Sequence, residues 1–219
     1  PIGIIFDDPV SSLDHQRRRY VARRLVAEAL RRQVVVLTHD IYFLSLLEEE
    51  AVLKPAPLQV QSLRRTAEGC GVPSPDLPFD GAKTADRVKS LRNSRDEVVK
   101  QQKEGNQDYA DKLLRLAWID LRLSWERAVE EVLFNGVVVR FNAGVSTMRL
   151  DSVEVTDEDV RAVFEGMTRC NNVPHDGAEN AQVEIGSVDD LGAEIERLHE
   201  WRGRIAKRHS ETKNKRALK

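Results

Sequence analysis

Two apolar runs near the start of the chain constrain its fold most. Ile2-Gly3-Ile4-Ile5-Phe6 and Val34-Val35-Val36-Leu37 are short and rich in β-branched residues, without the in–out alternation of a half-solvated strand. Strands of this kind are buried on both faces, as in parallel sheets. Parallel neighbours need a crossover of a dozen or more residues, and the stretch between these runs suits one helix. Pro9 closes the first strand after Asp7-Asp8, because it has no N–H to give a ladder. Asp14 is a candidate N-cap for a helix over about 15–32, with an apolar stripe of Tyr20, Val21, Leu25 and Ala29. Thr38-His39-Asp40 ends the second strand, and a further helix is predicted near 41–50. The pattern is a βαβ unit, and ligands of such sheets sit at the carboxyl ends of the strands.

The rest of the chain reads differently. Residues 58–64 give a weak strand signal. Residues 66–82 hold Gly69, Gly71, Pro73, Pro75, Pro78 and Gly81 and read as a linker. Amphipathic helical patterns then cover about 83–104, 107–135, 156–169 and 187–206, with extended stretches expected at 137–141 and 148–155. Trp118, Trp125 and Trp201 fall at or near apolar positions of those helices, which favours core over base stacking. The tail from Gly203 is predicted to fray, with seven Lys/Arg against one acid. The fold class is therefore α/β with parallel strands over 1–65, a linker over 66–82, and an all-α module over 83–219.

Composition removes several classes of function. With 34 basic and 36 acidic residues the net charge is −2, so the whole chain is no polycation. No apolar run reaches the roughly 20 residues that span a bilayer. Cys70 and Cys170 alone make neither a disulfide scaffold nor a four-cysteine zinc site, and a reducing, cytoplasmic setting is expected. The chain starts without Met inside a strand, so an N-terminal portion is expected to be missing.

The first chemical constellation is Asp7, Asp8, Ser12, Asp14 and His39. A carboxylate at a strand's carboxyl edge can hold the hydrated Mg2+ of a nucleotide, and a second one beside it can polarise the attacking water. The plainer alternative is a helix-capping loop and a strand-end histidine. Phe6-Asp7-Asp8-Pro9-Val10-Ser11-Ser12-Leu13-Asp14 resembles the Walker B and D-loop of P-loop ATPases of the ABC type, the group of SMC-like and RecN-like proteins. Val35-Val36-Leu37-Thr38-His39-Asp40 resembles their H-loop. The acid pair followed by Pro and by Ser-Ser-Leu-Asp-His is most similar to the AAA subgroup of the anticodon nucleases PrrC and RloC. The resemblance implies ATP and Mg2+ as cofactors and an ATP-dependent homodimer. Asp7 would hold Mg2+ through water, and Asp8 would be the catalytic carboxylate where most such enzymes have Glu. Ser12 and Asp14 would lie at the dimer interface beside nucleotide, and His39 would meet the γ-phosphate. The shorter Asp8 implies slow turnover. No Gly-x-x-x-x-Gly-Lys-Ser/Thr and no Leu-Ser-Gly-Gly-like signature occurs in the sequence. Both are expected ahead of residue 1, so this chain would carry half a site and not hydrolyse ATP alone. An inactive relic is a further reading.

The second constellation is Arg122, Glu126, Arg169 and His175. Arg122 and Glu126 share a helix face, and an i,i+4 ion pair is the plain account. His175, between Pro174 and Gly177, reads equally as a loop histidine. PrrC-like nucleases carry Arg-x-x-x-Glu and a downstream His, and Arg169 to His175 also resembles the Arg-x(4–6)-His pattern of HEPN RNases. The resemblance implies metal-independent cleavage of tRNA or other nucleic acid in phage defence, controlled by the ATPase. The chemistry needs an acid or base, which His supplies, and a cation for the phosphorane, which Arg supplies. Against it, residues 151–200 hold fourteen acids and three arginines, whereas an RNA-binding face is basic. A SMC/RecN-like ATPase whose helical extension docks a protein or DNA partner is the alternative.

Overall fold

The computed structural model describes residues 2–67, 69–74, 76–139, 144–171 and 186–216. The chain divides into two compact units, Pro1–Gly81 and Ala82–Lys219.

In the first unit β1 (Ile4–Asp7) and β2 (Val34–Leu37) pair in parallel, with Ile4 opposite Val34 and Asp7 opposite Leu37. α1 (His15–Ala29) joins them, and α2 (Ile41–Leu53) follows β2. The crossover forms where the spacing predicts it, and Asp14 caps α1 by accepting from the Arg17 N–H at 2.9 Å. One sheet face carries Phe6, Val34 and Val36, which pack on Ala22, Leu25 and Val26 of α1 and Phe43, Leu46 and Leu47 of α2. The predicted stripe of α1 is shifted: Tyr20 is exposed, and Ala22 and Val26 take core positions. The other sheet face leaves Ile5, Val35 and Leu37 open, with Ile5 70% exposed. Such a face is apolar in sequence yet uncovered, which is unusual for parallel strands.

The expected linker is not all linker. β3 (Ser62–Thr66) and β4 (Gly69–Ser74) form an antiparallel hairpin, with Leu63 opposite Pro73. Glycine and proline suggested irregular chain here. Gly69 and Gly71 instead supply positive φ values, 149° and 79°, at the turn and in a narrow edge ribbon, where Pro73 is tolerated.

The second unit packs α3 (Thr84–Lys103), α4 (Gln107–Ala128), α5 (Asp157–Asn171) and α6 (Val188–Arg216). α4 ends in a π-helical turn, Val129–Leu133, and the chain reverses at Asn135 and Gly136, both at positive φ. Residues 147–151 form a 3-10 turn where extended chain was expected. Leu91, Val98, Leu114, Leu121, Leu191, Ile195, Leu198 and Ile205 fill the core, and all three tryptophans are at most 3% exposed. Thr156 and Asp159 cap α5 reciprocally, as Ser187 and Asp190 do α6. The tail predicted to fray is helical to Arg216. Arg216 donates to the carbonyls of Leu150 and Val153, Thr212 to Glu154, and Arg208 pairs with the buried Asp159. The basic run is thus a set of tethers that holds the 147–159 segment. Among the described residues no helix is long and apolar enough to cross a membrane.

Candidate functional site

Parallel pairing decides the geometry of the first constellation. Because Asp7 sits opposite Leu37, the residues just past each strand leave the sheet side by side, and Asp8 N–H donates to the Leu37 carbonyl at 2.8 Å. His39 Nδ1 then lies 3.5 Å from Asp8 Oδ2, with the imidazole 86% exposed and the carboxylate largely shielded. Asp8 has φ = 41°, a left-handed conformation that costs an L-residue about 1 kcal/mol or more. Its Oδ1 is buried and has no hydrogen-bond partner. A carboxylate held in a strained backbone, with one oxygen beside a histidine and the other unmet, is an outlier of the kind that gathers at functional sites. Asp7 and Ser12 are both exposed, and Asp14 is occupied with its cap.

Arg18 is the residue that the sequence reading passed over. Its Nε donates to the Leu13 carbonyl at 2.8 Å, and its Nη1 pairs with Asp40 Oδ2. Asp40 also caps α2 through the Phe43 N–H at 3.0 Å, and its own N–H reaches Thr38 Oγ1 at 3.1 Å. One guanidinium therefore ties the loop after β1 to the loop after β2, the two loops that carry Asp8 and His39. Among the five arginines of its helix only the spacing to Asp14 marked it, and that is too weak a signal.

The residues suit a hydrated Mg2+ with nucleotide phosphates. Such an ion needs only one or two protein carboxylates. Asp7 offers an exposed one at the strand end, and Asp8 turns its Oδ2 toward the exposed His39. No group of three or more metal-ligating side chains occurs among the described residues.

In the second unit α4 and α5 bring three of the four predicted residues, Arg122, Glu126 and Arg169, around Cys170. Arg122 and Glu126 on α4 are 3.6 Å apart at i,i+4. Arg169 near the carboxyl end of α5 donates to Glu165 at 3.2 Å and to Glu194 of α6 at 3.0 Å. Cys170 stands between them: burial pushes its thiol up to about 12, the nearby Glu194 carboxylate adds to that, and Arg122 and Arg169 act the other way. A thiol this suppressed is no nucleophile. His175 lies outside the described residues. Below the charged groups Trp125 and Trp201 lie 5.4 Å apart between ring centres, and α5 approaches so closely at Gly166 that a Cβ would come within 2.4 Å of Trp125.

Glu194 was also missed. It is 2% exposed, and its Oε2 accepts from Arg169 and, at 3.1 Å, from Arg197, while its Oε1 is buried and unmatched. A Glu in a helix rich in acids gives no sign of burial until its i+4 neighbour Leu198 and its i+7 neighbour Trp201 are seen in the core. A separate cleft of about 430 Å³ between α3 and α6 is lined by Arg92, Arg95, Asp189 and Glu196 and by none of the predicted site residues.

Compared with known protein families, with curated proteins and with solved structures, the chain matches none.

Proposed function

We propose that the first unit is the hydrolytic-carboxylate part of an ABC-type ATP site, and that the helical unit is a metal-independent RNase governed by it. The observation that carries the ATPase reading is the strained Asp8 beside His39, at the adjoining carboxyl ends of two parallel strands. Asp7 would hold Mg2+ through water. Asp8 would orient the attacking water, and His39, exposed at the strand end, would meet the terminal phosphate. The open apolar face formed by Ile5, Val35 and Leu37 supports an assembly in which further strands and the phosphate cradle come from other polypeptide. ATP would be shared between two such assemblies, with Ser12 and Asp14 at their junction.

The test is ATP hydrolysis by the protein expressed from its complete coding sequence, beside Asp8→Asn. The substituted protein should still bind ATP and should lose about a hundredfold or more in turnover, the usual loss for a general base. Hydrolysis that survives the change overturns the assignment of Asp8.

The RNase reading rests on the convergence of Arg122, Arg169 and Glu194 around Cys170. Incubation with total tRNA and ATP should give discrete fragments, which vanish for His175→Ala or Arg169→Ala while ATP turnover is unchanged. A second reading, a docking module for a protein or DNA partner, is favoured by Val160 and Phe164, which stand 57% and 71% exposed on the acidic α5. It predicts intact RNA with ATP still hydrolysed.

A further inference from the structure

Glu194 is an expensive residue to keep. A carboxylate 2% exposed loses most of its hydration, and here one of its oxygens has no hydrogen-bond partner at all. A leucine or glutamine at this turn of α6 would fill the core beside Leu198 and Trp201 without that cost. What the charge does is visible in its contacts. Oε2 accepts from Arg169 Nη1 at 3.0 Å and from Arg197 Nη1 at 3.1 Å, so that one buried oxygen anchors two guanidinium groups at their inner ends. The arginines themselves are not buried: their side chains are 39% and 54% exposed. Arg169 is further steadied by Glu165, one turn back on its own helix, through Nη2. Its inner Nη1 is therefore held by α6 and its Nη2 by α5, two contacts that together define one orientation of the guanidinium plane. Long, half-exposed arginines ordinarily wander over several rotamers.

We propose that Glu194 is the positioning residue for Arg169. It orients the guanidinium from beneath, so that the exposed edge meets a phosphodiester of single-stranded RNA in one fixed pose. The proposal rests on the RNase reading of this site. Glu194 does not touch the substrate; it acts through Arg169, and the reaction needs it because a cation that must match a developing phosphorane loses its effect when it is free to move.

The test compares the whole protein with Glu194→Gln and Arg169→Ala, using a tRNA substrate with ATP. Glu194→Gln keeps the shape of the side chain and removes the charge. Its kcat for cleavage should fall by about a hundredfold, the loss expected from misplacing a catalytic group by about 1 Å. KM should change little, and thermal unfolding by circular dichroism is followed in parallel. Glu194→Asp, which keeps the charge, should regain part of the lost rate. Nitrogen-15 spectra supply a readout free of catalysis: the Arg169 Nη signals, assigned by their loss in Arg169→Ala, should be sharp and separate in the wild type and merge in Glu194→Gln. Unchanged kcat in a wild-type background that cleaves, or separate Arg169 signals that persist in a folded Glu194→Gln protein, overturns the proposal. Absence of cleavage by the wild type overturns the RNase reading and the positioning role with it, and this is distinguished from the other failures by the wild-type lane alone. If Glu194→Gln fails to fold, Glu194→Asp decides: merged Arg169 signals together with a lowered kcat support the proposal, and merged signals with normal kcat, or separate signals with a lowered kcat, overturn it.

Discussion

The two units hold their charged groups in opposite ways. In the first, Asp8 and His39 come from strand ends that are neighbours by the simplest rule of parallel pairing, and their strain is carried by the backbone, at φ = 41°. In the second, Arg122, Arg169 and Glu194 come from three helices, the backbone is regular, and the strain lies in a buried, half-satisfied carboxylate. A strand-end site is assembled by local chain direction and tolerates change in the core beneath it. A helix-bundle site is assembled by packing, and every large side chain under it sets the distance between its parts. Substitutions can press on this contrast.

The largest effect should come from the floor of the helical site. Trp201 is 1% exposed and packs against Trp125 with the ring planes tilted by 49°, so Trp201→Ala should cost about 3–5 kcal/mol in urea denaturation of the second unit. The same change should scatter Arg169 and Glu194. If the RNase reading holds, cleavage falls even at temperatures where the variant stays folded. Retention of both stability and activity would mean that the bundle does not set the site. Gly166→Ala probes the same dependence with one added methyl. The new Cβ would stand 2.4 Å from the Trp125 ring, so α5 must retreat, at a cost of roughly 1–3 kcal/mol. Wild-type stability in this variant would show that α5 can shift freely over α4.

Asp8→Gly reverses the sign. Glycine adopts a left-handed φ without steric cost, and that relief of about 1–2 kcal/mol exceeds the roughly 0.5–1 kcal/mol of added unfolded-chain entropy, so the substitution should stabilise the first unit by about 0.5–1 kcal/mol while removing the carboxylate. A gain in chemical-denaturation midpoint together with loss of ATP turnover would mark Asp8 as strained for function. A loss of stability would mean instead that the His39 contact holds the loop and that the strain is incidental.

These differences explain what the sequence discloses. Ile4-Ile5-Phe6, Pro9 and Asp14 each carry a local rule, and β1, α1 and β2 follow from them within a few residues. Thr156 and Asp159 likewise announce α5. The hairpin over 62–74 was obscured because glycine and proline mark both irregular chain and edge strands, and only the pairing partner distinguishes them. The tail beyond Gly203 reads as a solvated cationic run, yet Arg208, Thr212 and Arg216 find partners 49 to 66 residues away in sequence. Glu194 and Arg18 belong to the same class: their roles depend on contacts 22 to 25 residues distant, to which no periodicity is sensitive.

The smallest predicted effect concerns that tether. His209, next to Arg208 on α6, is held below its ordinary pKa of 6.5, chiefly by burial; the Arg208 cation works in the same direction, and a backbone contact at Leu133 and the Asp159 carboxylate work against it. Its Nε2 is buried without a hydrogen-bond partner. The folded state therefore favours the neutral imidazole. Its contribution is fully present above pH 6.5 and is lost as pH falls from there through the lower folded value. Asp159 adds a second step at more acidic pH. Its carboxyl is held below 3.8 because the Arg208 and Thr156 hydrogen bonds outweigh the opposing effect of burial, so its contribution is present above 3.8 and disappears as pH drops through its folded value. Thermal midpoints followed downward from pH 8 should decline first below 6.5 and again below 3.8, and His209→Gln should remove the first decline and leave the second. If His209→Gln leaves the first decline intact, the pH sensitivity lies elsewhere than under the α6 tether, and the packed helical unit does not owe its acid sensitivity to this buried imidazole.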